Sequence, residues 1–169
     1  MNTDMRYQPR KQLSLFAPPE DAVELEAIRK RLDPVQHRLI PAHVTATRDA
    51  ETEALLDNGV DIEERLDGFQ PITLAFGAAE RFSRHGISLR CIDGGAAFAE
   101  LRRRLLGSLS QYQQAPHITL AHPRNPKTTA NDRFDPRALP ERITFTFASL
   151  RLIEQTRDAP WRTVRLFRL

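Results

Sequence analysis

The sequence predicts a duplicated α+β fold, bilobal, with two antiparallel sheets, outer helices and a central cleft on a pseudo-twofold axis. Three observations predict it. His-x-Thr occurs twice, in Ala42-His43-Val44-Thr45-Ala46 and in Pro116-His117-Ile118-Thr119-Leu120, with the histidines 74 residues apart. The alternating segment around Leu13 and Leu15 maps at the same offset onto the one around Ile87 and Leu89. Between segment and motif, Leu25, Ile28 and Leu32 match Phe98, Leu101 and Leu105 at an offset of 73, so strand, helix and His-x-Thr strand recur in order. Ile72–Phe76 and Ile143–Phe147 extend the match at an offset of 71, as a further strand of each repeat.

Taken in order, residues 1–11 are polar and without period, which predicts a flexible tail whose Arg6, Arg10 and Lys11 are solvated charge. The single bilobal domain is expected to span 12–169. Gln12–Ala17 alternates as a strand does, and Pro18-Pro19 stops it. Asp21 followed by Glu24 resembles a capping box for a helix that Asp33-Pro34 closes. A short loop then leads to the first His-x-Thr strand.

From Asp49 the chain turns acidic and helical up to Asn58-Gly59, a left-handed cap, with a second short helix before Gly68. Glu51, Glu53, Asp57, Asp61, Glu63 and Glu64 are spaced like a solvated face. Ile72–Phe82 and Ile87–Ile92 form a hairpin around Ser83-Arg84-His85-Gly86, which makes His85 a turn residue. Ala96–Leu109 is amphipathic, with Phe98, Leu101, Leu105 and Leu109 inward and Arg102 to Arg104 facing water. Residues 124–140, rich in Pro, Asn and Asp, read as a long loop. A closing hairpin joins Ile143–Ile153 to Trp161–Leu169.

Composition narrows the class. A chain of 169 residues with 40% hydrophobic side chains is long enough for one core, or two small lobes sharing one. A formal charge of +3 permits an anionic partner without requiring it. The single cysteine, Cys91, excludes a disulfide framework and a cysteine-based zinc cage, and fits a reducing cytoplasm. No apolar run approaches the ~18 residues of a membrane span, and the N-terminus lacks a signal-peptide core, so a soluble, cytoplasmic protein is expected.

The chemistry concentrates in the repeated motif. Side chains at i and i+2 of a strand share a face, so His43 lies beside Thr45 and His117 beside Thr119, while Val44 and Ile118 point away. Two such strands facing each other make a cleft suited to acid/base work at a phosphate. Displacement at a phosphodiester needs one group to take a proton from the entering oxygen and another to protonate the departing one. Histidine, with an ordinary pKa near ~6.5, can serve in either state. Hydroxyls can donate to the non-bridging oxygens where charge accumulates. The repeat does not assign which imidazole is base and which is acid. Parity further places Ser14 and Phe16, and Ser88 and Arg90, on the histidine side of the sheets, which makes Phe16 a candidate for stacking on a base and Arg90 for holding phosphate.

With two His-x-Thr motifs on corresponding strands of a duplicated chain, the sequence resembles the two-histidine (2H) phosphoesterase superfamily, in its bacterial 2'-5' RNA ligase-like branch, from Gln12 to Leu169. The resemblance implies a metal-independent, cofactor-free cyclic phosphodiesterase or 2'-5' ligase. Its partners would be RNA ends or cyclic-phosphate nucleotides, with no obligate protein partner. It makes His43 and His117 the catalytic residues and Thr45 and Thr119 the holders of the phosphate oxygens.

Two departures bear on substrate. Members of that branch continue the second motif as His-x-Thr-Leu-Ala-Arg, where this chain has His122, then Pro123 and Arg124. Parity places His122 opposite His117, as a structural or loop-lining residue. The first motif continues as Ala46-Thr47-Arg48 in place of a more apolar run. Two other readings stand beside this one: a non-catalytic RNA-end or nucleotide-binding protein, and a metal hydrolase using His43, His117 and His122. The second lacks a further ligand at suitable spacing.

Overall fold

The computed structural model describes residues 8–169. Its elements are β1 (Arg10–Phe16), α1 (Val23–Leu32), α2 (Pro34–Leu39), β2 (His43–Thr47), α3 (Asp49–Asp57), α4 (Ile62–Leu66), β3 (Ile72–Phe82), β4 (Gly86–Asp93), α5 (Gly95–Leu106), β5 (His117–Ala121), α6 (Thr129–Asp132), β6 (Ile143–Phe147), β7 (Ser149–Gln155) and β8 (Arg162–Arg168). They build two four-stranded antiparallel sheets, ordered β2-β1-β7-β8 and β5-β4-β3-β6. Each His-x-Thr strand is therefore an edge, and the two edges approach each other. The expected bilobal α+β architecture is present.

Alternation explains the shared core. Leu13, Leu15, Val44 and Ala46 of one sheet and Ile87, Leu89, Ile118 and Leu120 of the other are all buried, in one cluster with Leu25, Leu32, Phe98, Leu101 and Leu105 of α1 and α5. The helices also cross over: α1 packs against β5 and α5 against β2. The lobes are thus stapled by their helices as well as by common apolar burial.

The duplication does not extend to the last strand of each repeat. β3 and β6, expected as equivalents in separate lobes, are antiparallel neighbours in one sheet, with Ile72 opposite Phe147 and Phe76 opposite Ile143. The tight turn after Phe82 obliges β3 to pair with β4, which leaves the place beside β1 to β7. The strand expected to run from Ile143 to Ile153 accordingly breaks at Ala148 and changes sheets there. The final hairpin is β7 with β8.

Four local expectations are corrected. The first strand begins at Arg10, so Arg10 and Lys11 leave the expected tail and pair with Gln155 and Glu154; residues 1–7 of that tail lie outside the described residues. Asp21 does not cap α1, because the turn in which Asp21 and Ala22 donate to the Pro18 carbonyl feeds the helix instead. The expected loop before β2 contains α2, whose N-cap is Asp33: its side chain accepts from the Gln36 amide at 2.8 Å and Pro34 takes the first position. The long loop over 124–140 contains α6 and a 3-10 turn at Pro136–Ala138.

The solvated-face reading also fails at two residues. Glu51 and Arg102 are buried and bonded to each other across the lobes, Nη2 to Oε1 at 2.8 Å and Nη1 to Oε2 at 3.0 Å. Spacing on one helix cannot reveal a partner on another. Asp93, by contrast, lies at the surface with Arg142, and Arg103 with Glu100. Gly94, between Asp93 and α5, has φ of +86°, and a Cβ there would stand 2.2 Å from the Thr73 carbonyl oxygen.

Candidate active site

The two motif strands converge as expected: His43, Thr45, His117 and Thr119 line a single cleft of about 390 Å³ between the sheets. Strand parity dictates this, since Val44 and Ile118 of the same strands are fully buried on the other side.

The two imidazoles are held in the same way. His43 Nδ1 lies 2.8 Å from the Pro41 carbonyl oxygen and His117 Nδ1 lies 3.1 Å from that of Ala115, in each case two residues earlier. A carbonyl accepts only, so in the neutral ring Nδ1 carries the hydrogen and Nε2 keeps its lone pair. Both rings therefore offer the same nitrogen for proton transfer. Their electrostatic surroundings include a marked perturbation at one of them. Burial is the main cause that lowers the His43 pKa, from 6.5 to about 4; the bond to Pro41 opposes this, and the nearby charges of Arg29 and His117 add to it. His43 is thus neutral at ordinary pH.

Side chains from other elements complete the walls. Arg10 and Gln12 of β1 reach Asp49 at the start of α3, Nε to Oδ2 and Nε2 to Oδ1, each at 2.7 Å. Trp161, tied through its amide to the Leu39 carbonyl at 2.8 Å, closes one end, with the Arg10 guanidinium 5.3 Å from its ring centre. On the other side the cleft continues past Thr45 and His117 to Arg48, Tyr112 and Gln114. Trp161 and Arg10 were not read as site residues: each sits in a segment assigned a different task, a closing hairpin and a tail.

His122 and Arg124 both line the cleft. The parity argument that placed His122 on the opposite face does not apply, because β5 ends at Ala121. Beyond it the loop is pinned by the buried Asp33 carboxylate, which accepts from the His122 amide at 2.8 Å and from Asn125 Nδ2 at 2.9 Å. Burial first, then Arg124, lowers the His122 pKa. Arg124, two places beyond the arginine of the resembled pattern, brings a guanidinium to the same cleft.

Phe16 and Arg90 lie where register requires, opposite His43 and His117 respectively. Neither is among the cleft-lining side chains. The Phe16 ring stands 5.8 Å from the His43 ring and is covered by Arg151 at 4.9 Å. Arg90 is 61% exposed and faces Glu80 at 3.3 Å. Thr73 and Thr146 bond to each other at 2.9 Å on exposed sheet surface. Among the described residues no three His, Cys, Asp or Glu side chains gather in a group that could hold a metal ion. Nor is any helix among them long and apolar enough to cross a membrane.

Comparison with known proteins bears on the fold and the family. No curated protein matches the chain in sequence. In structure it is similar to Escherichia coli LigT complexed with ATP, with TM-score 0.61 and 17% identity over 96% of this chain and 99% of that one. It is similar to LigT complexed with 3'-AMP, with TM-score 0.59 and 15% identity over 96% and 99% of the two chains. A protein described only as a phosphoesterase gives TM-score 0.58 and 14% identity over the same shares, 96% and 99%. At such identities the likeness shows the fold. Residues 17–159, most of the chain and both His-x-Thr strands, match the family model of the 2'-5' RNA ligase superfamily, and the chain belongs to that family.

Proposed function

We propose that the protein is a metal-independent cyclic phosphodiesterase acting on 2',3'-cyclic phosphate RNA ends or nucleotides, with 2'-5' RNA ligation as the same displacement made by a 5'-hydroxyl in place of water. One observation carries the reading: two imidazoles with equivalent Nδ1 anchors present Nε2 to one cleft, each beside a threonine. Neutral at ordinary pH, His43 is suited to be the base in hydrolysis. It takes a proton from water as the water oxygen bonds to phosphorus. His117, as the acid, gives a proton to O3' as the P–O3' bond breaks, which leaves a 2'-phosphate. Ligation keeps these roles: a 5'-hydroxyl takes the place of water, gives its proton to His43 as its oxygen bonds to phosphorus, and O3' leaves with a proton from His117, which leaves a 2'-5' linkage. Thr45 and Thr119 donate to the non-bridging oxygens, and Arg124 neutralises the phosphate. Phe16 backs the His43 ring, and Arg90, exposed and turned to Glu80, takes no part in the reaction.

A nucleotide-binding protein without turnover is the second reading, favoured by the ATP-bound and 3'-AMP-bound structures of LigT. The two separate on incubation with 2',3'-cyclic nucleotides and 2'-5'-linked dinucleotides in EDTA. Turnover to 2'-phosphates that disappears in His43→Ala and His117→Ala supports the enzyme. Binding with no turnover of any of these supports the second reading.

A further inference from the structure

β2 and β5 face each other as sheet edges, and an edge strand carries backbone carbonyls with no ladder partner on its outer side. Here two buried arginines use those carbonyls. Arg29 of α1 donates from Nε to the Thr119 carbonyl of the opposite motif strand at 3.1 Å, and from Nη2 to the Ile40 carbonyl, just ahead of its own, at 2.9 Å. Arg102 of α5 donates from Nη1 to the Ala46 carbonyl of the opposite motif strand, and from Nη2 to the Tyr112 carbonyl ahead of its own at 2.8 Å. The two arginines are 73 residues apart, the same offset that relates the helices. Each guanidinium is neutralised by a carboxylate: Glu26 at 2.7 Å for Arg29 and Glu51 for Arg102. Glu26 also accepts from the Ala42 amide, next to His43.

We propose that Arg29 and Arg102 are positioning residues, a pair of crossed braces that hold each motif strand from the other lobe and so set the spacing between the two imidazoles. A planar fork with several donors can grip two carbonyls and a carboxylate together, which an ammonium cannot do in the same geometry. Held apart by side chains, the edges cannot zip into one continuous sheet, and the opening between them is the cleft. The inference rests on the two-histidine reading for its kinetic consequence alone; the brace itself is a matter of structure.

The test uses the full chain with Arg29→Lys, Arg29→Met, Arg102→Lys and Arg102→Met, and Leu25→Ala as a control that loosens α1 without touching a brace. Kinetics are read on 2',3'-cyclic AMP at a temperature where each variant is folded. The brace variants should lose at least about tenfold in kcat with KM little changed, because misplaced groups fail in the transition state. Leu25→Ala should lower Tm and leave kcat of the folded protein near wild type. An NMR titration of the imidazoles gives a readout independent of turnover. The groups around His43 are Arg29 and Glu26 from α1, His117 from β5, Arg10 from β1, His122 and Arg124 from the following loop, Arg151 behind Phe16, and Arg157 and Asp158 at the rim. Arg29→Met, which removes a positive charge that helps to lower the His43 midpoint, should move that midpoint upward, and Arg29→Lys should largely keep it low. Arg102→Met should shift the Thr45 and Ala46 amide signals and leave the His43 midpoint in place.

Should Arg29→Met not fold, Arg29→Lys still decides: unchanged kcat overturns the proposal. Equal kcat losses in Leu25→Ala and the brace variants also overturn it. Should the wild type turn over no phosphodiester, the proposed function fails, and the imidazole and amide signals test the brace alone. Unmoved signals in both Met variants then overturn it.

Discussion

Glu51 on α3 and Arg102 on α5 form a fully enclosed two-point ion pair that joins one lobe to the other. Burial pushes the Glu51 carboxyl upward, but the bonds from Arg102 and from the Arg48 and Gln111 amides outweigh it and hold its pKa below the ordinary value. Removing the acid strands a guanidinium in the interior. Glu51→Ala is expected to cost ~3–5 kcal/mol, read as a lower denaturant midpoint, far more than an exposed pair such as Arg165 with Glu63, at ~0–1 kcal/mol. Equal losses at both sites would count against the pair as a joint between lobes.

Replacing His43 or His117 by Ala is expected to lower kcat on a 2',3'-cyclic phosphate by roughly 10²- to 10⁴-fold each, the usual range for one acid or base. Unfolding midpoints should stay close to wild type, since each ring lines the cleft rather than the core. Activity surviving in the double variant would place the chemistry elsewhere.

The pH dependence has a definite sign. His43 titrates near 6.5 in the unfolded chain and near 4 in the folded one, so between those values the unfolded state binds a proton that the folded state refuses. Its contribution to stability is full above about 6.5 and is lost as pH falls toward 4. Wild-type Tm should drop on going from pH about 7 to about 5, and the drop should be smaller in His43→Gln. The acid limb of kcat/KM should likewise sit near pH 4, below the range of an ordinary imidazole. An acid limb at 6.5 would mean that His43 is not the base.

The motif strands, the first strand of each repeat and the two long helices were legible because each declares itself by local period. Leu13 and Leu15, or Phe98 and Leu101, announce their buried face without reference to anything distant. What was not legible depends on partners far along the chain. Arg102 read as a water-facing helix charge and Arg29 drew no reading, yet their acceptors, Ala46 and Thr119, lie on the opposite repeat. Arg10 and Trp161 are brought together by the pairing of β1 with β7, a consequence of β3 being claimed by the tight β3–β4 turn. His122 misled because parity was continued past the end of a strand.

The last expectation concerns which aromatic ring meets a base. Parity pointed to Phe16, but its ring is flanked by His43 on one side and by the Arg151 guanidinium on the other, so a base would have to displace one of them. Trp161 stands in the cleft wall itself. Truncating a stacking platform costs ~1–3 kcal/mol, so Trp161→Ala should raise KM by roughly 5- to 150-fold with kcat nearly kept. Phe16→Ala removes the support of the His43 ring instead, and should lower kcat with a smaller change in KM. Arg90→Ala should leave kcat within about twofold, since that exposed side chain is engaged with Glu80 and an exposed pair contributes little. Steady-state kinetics of the three variants separate the assignments: a KM effect confined to Phe16→Ala would return the stacking role to Phe16 and leave Trp161 as a structural link to α2.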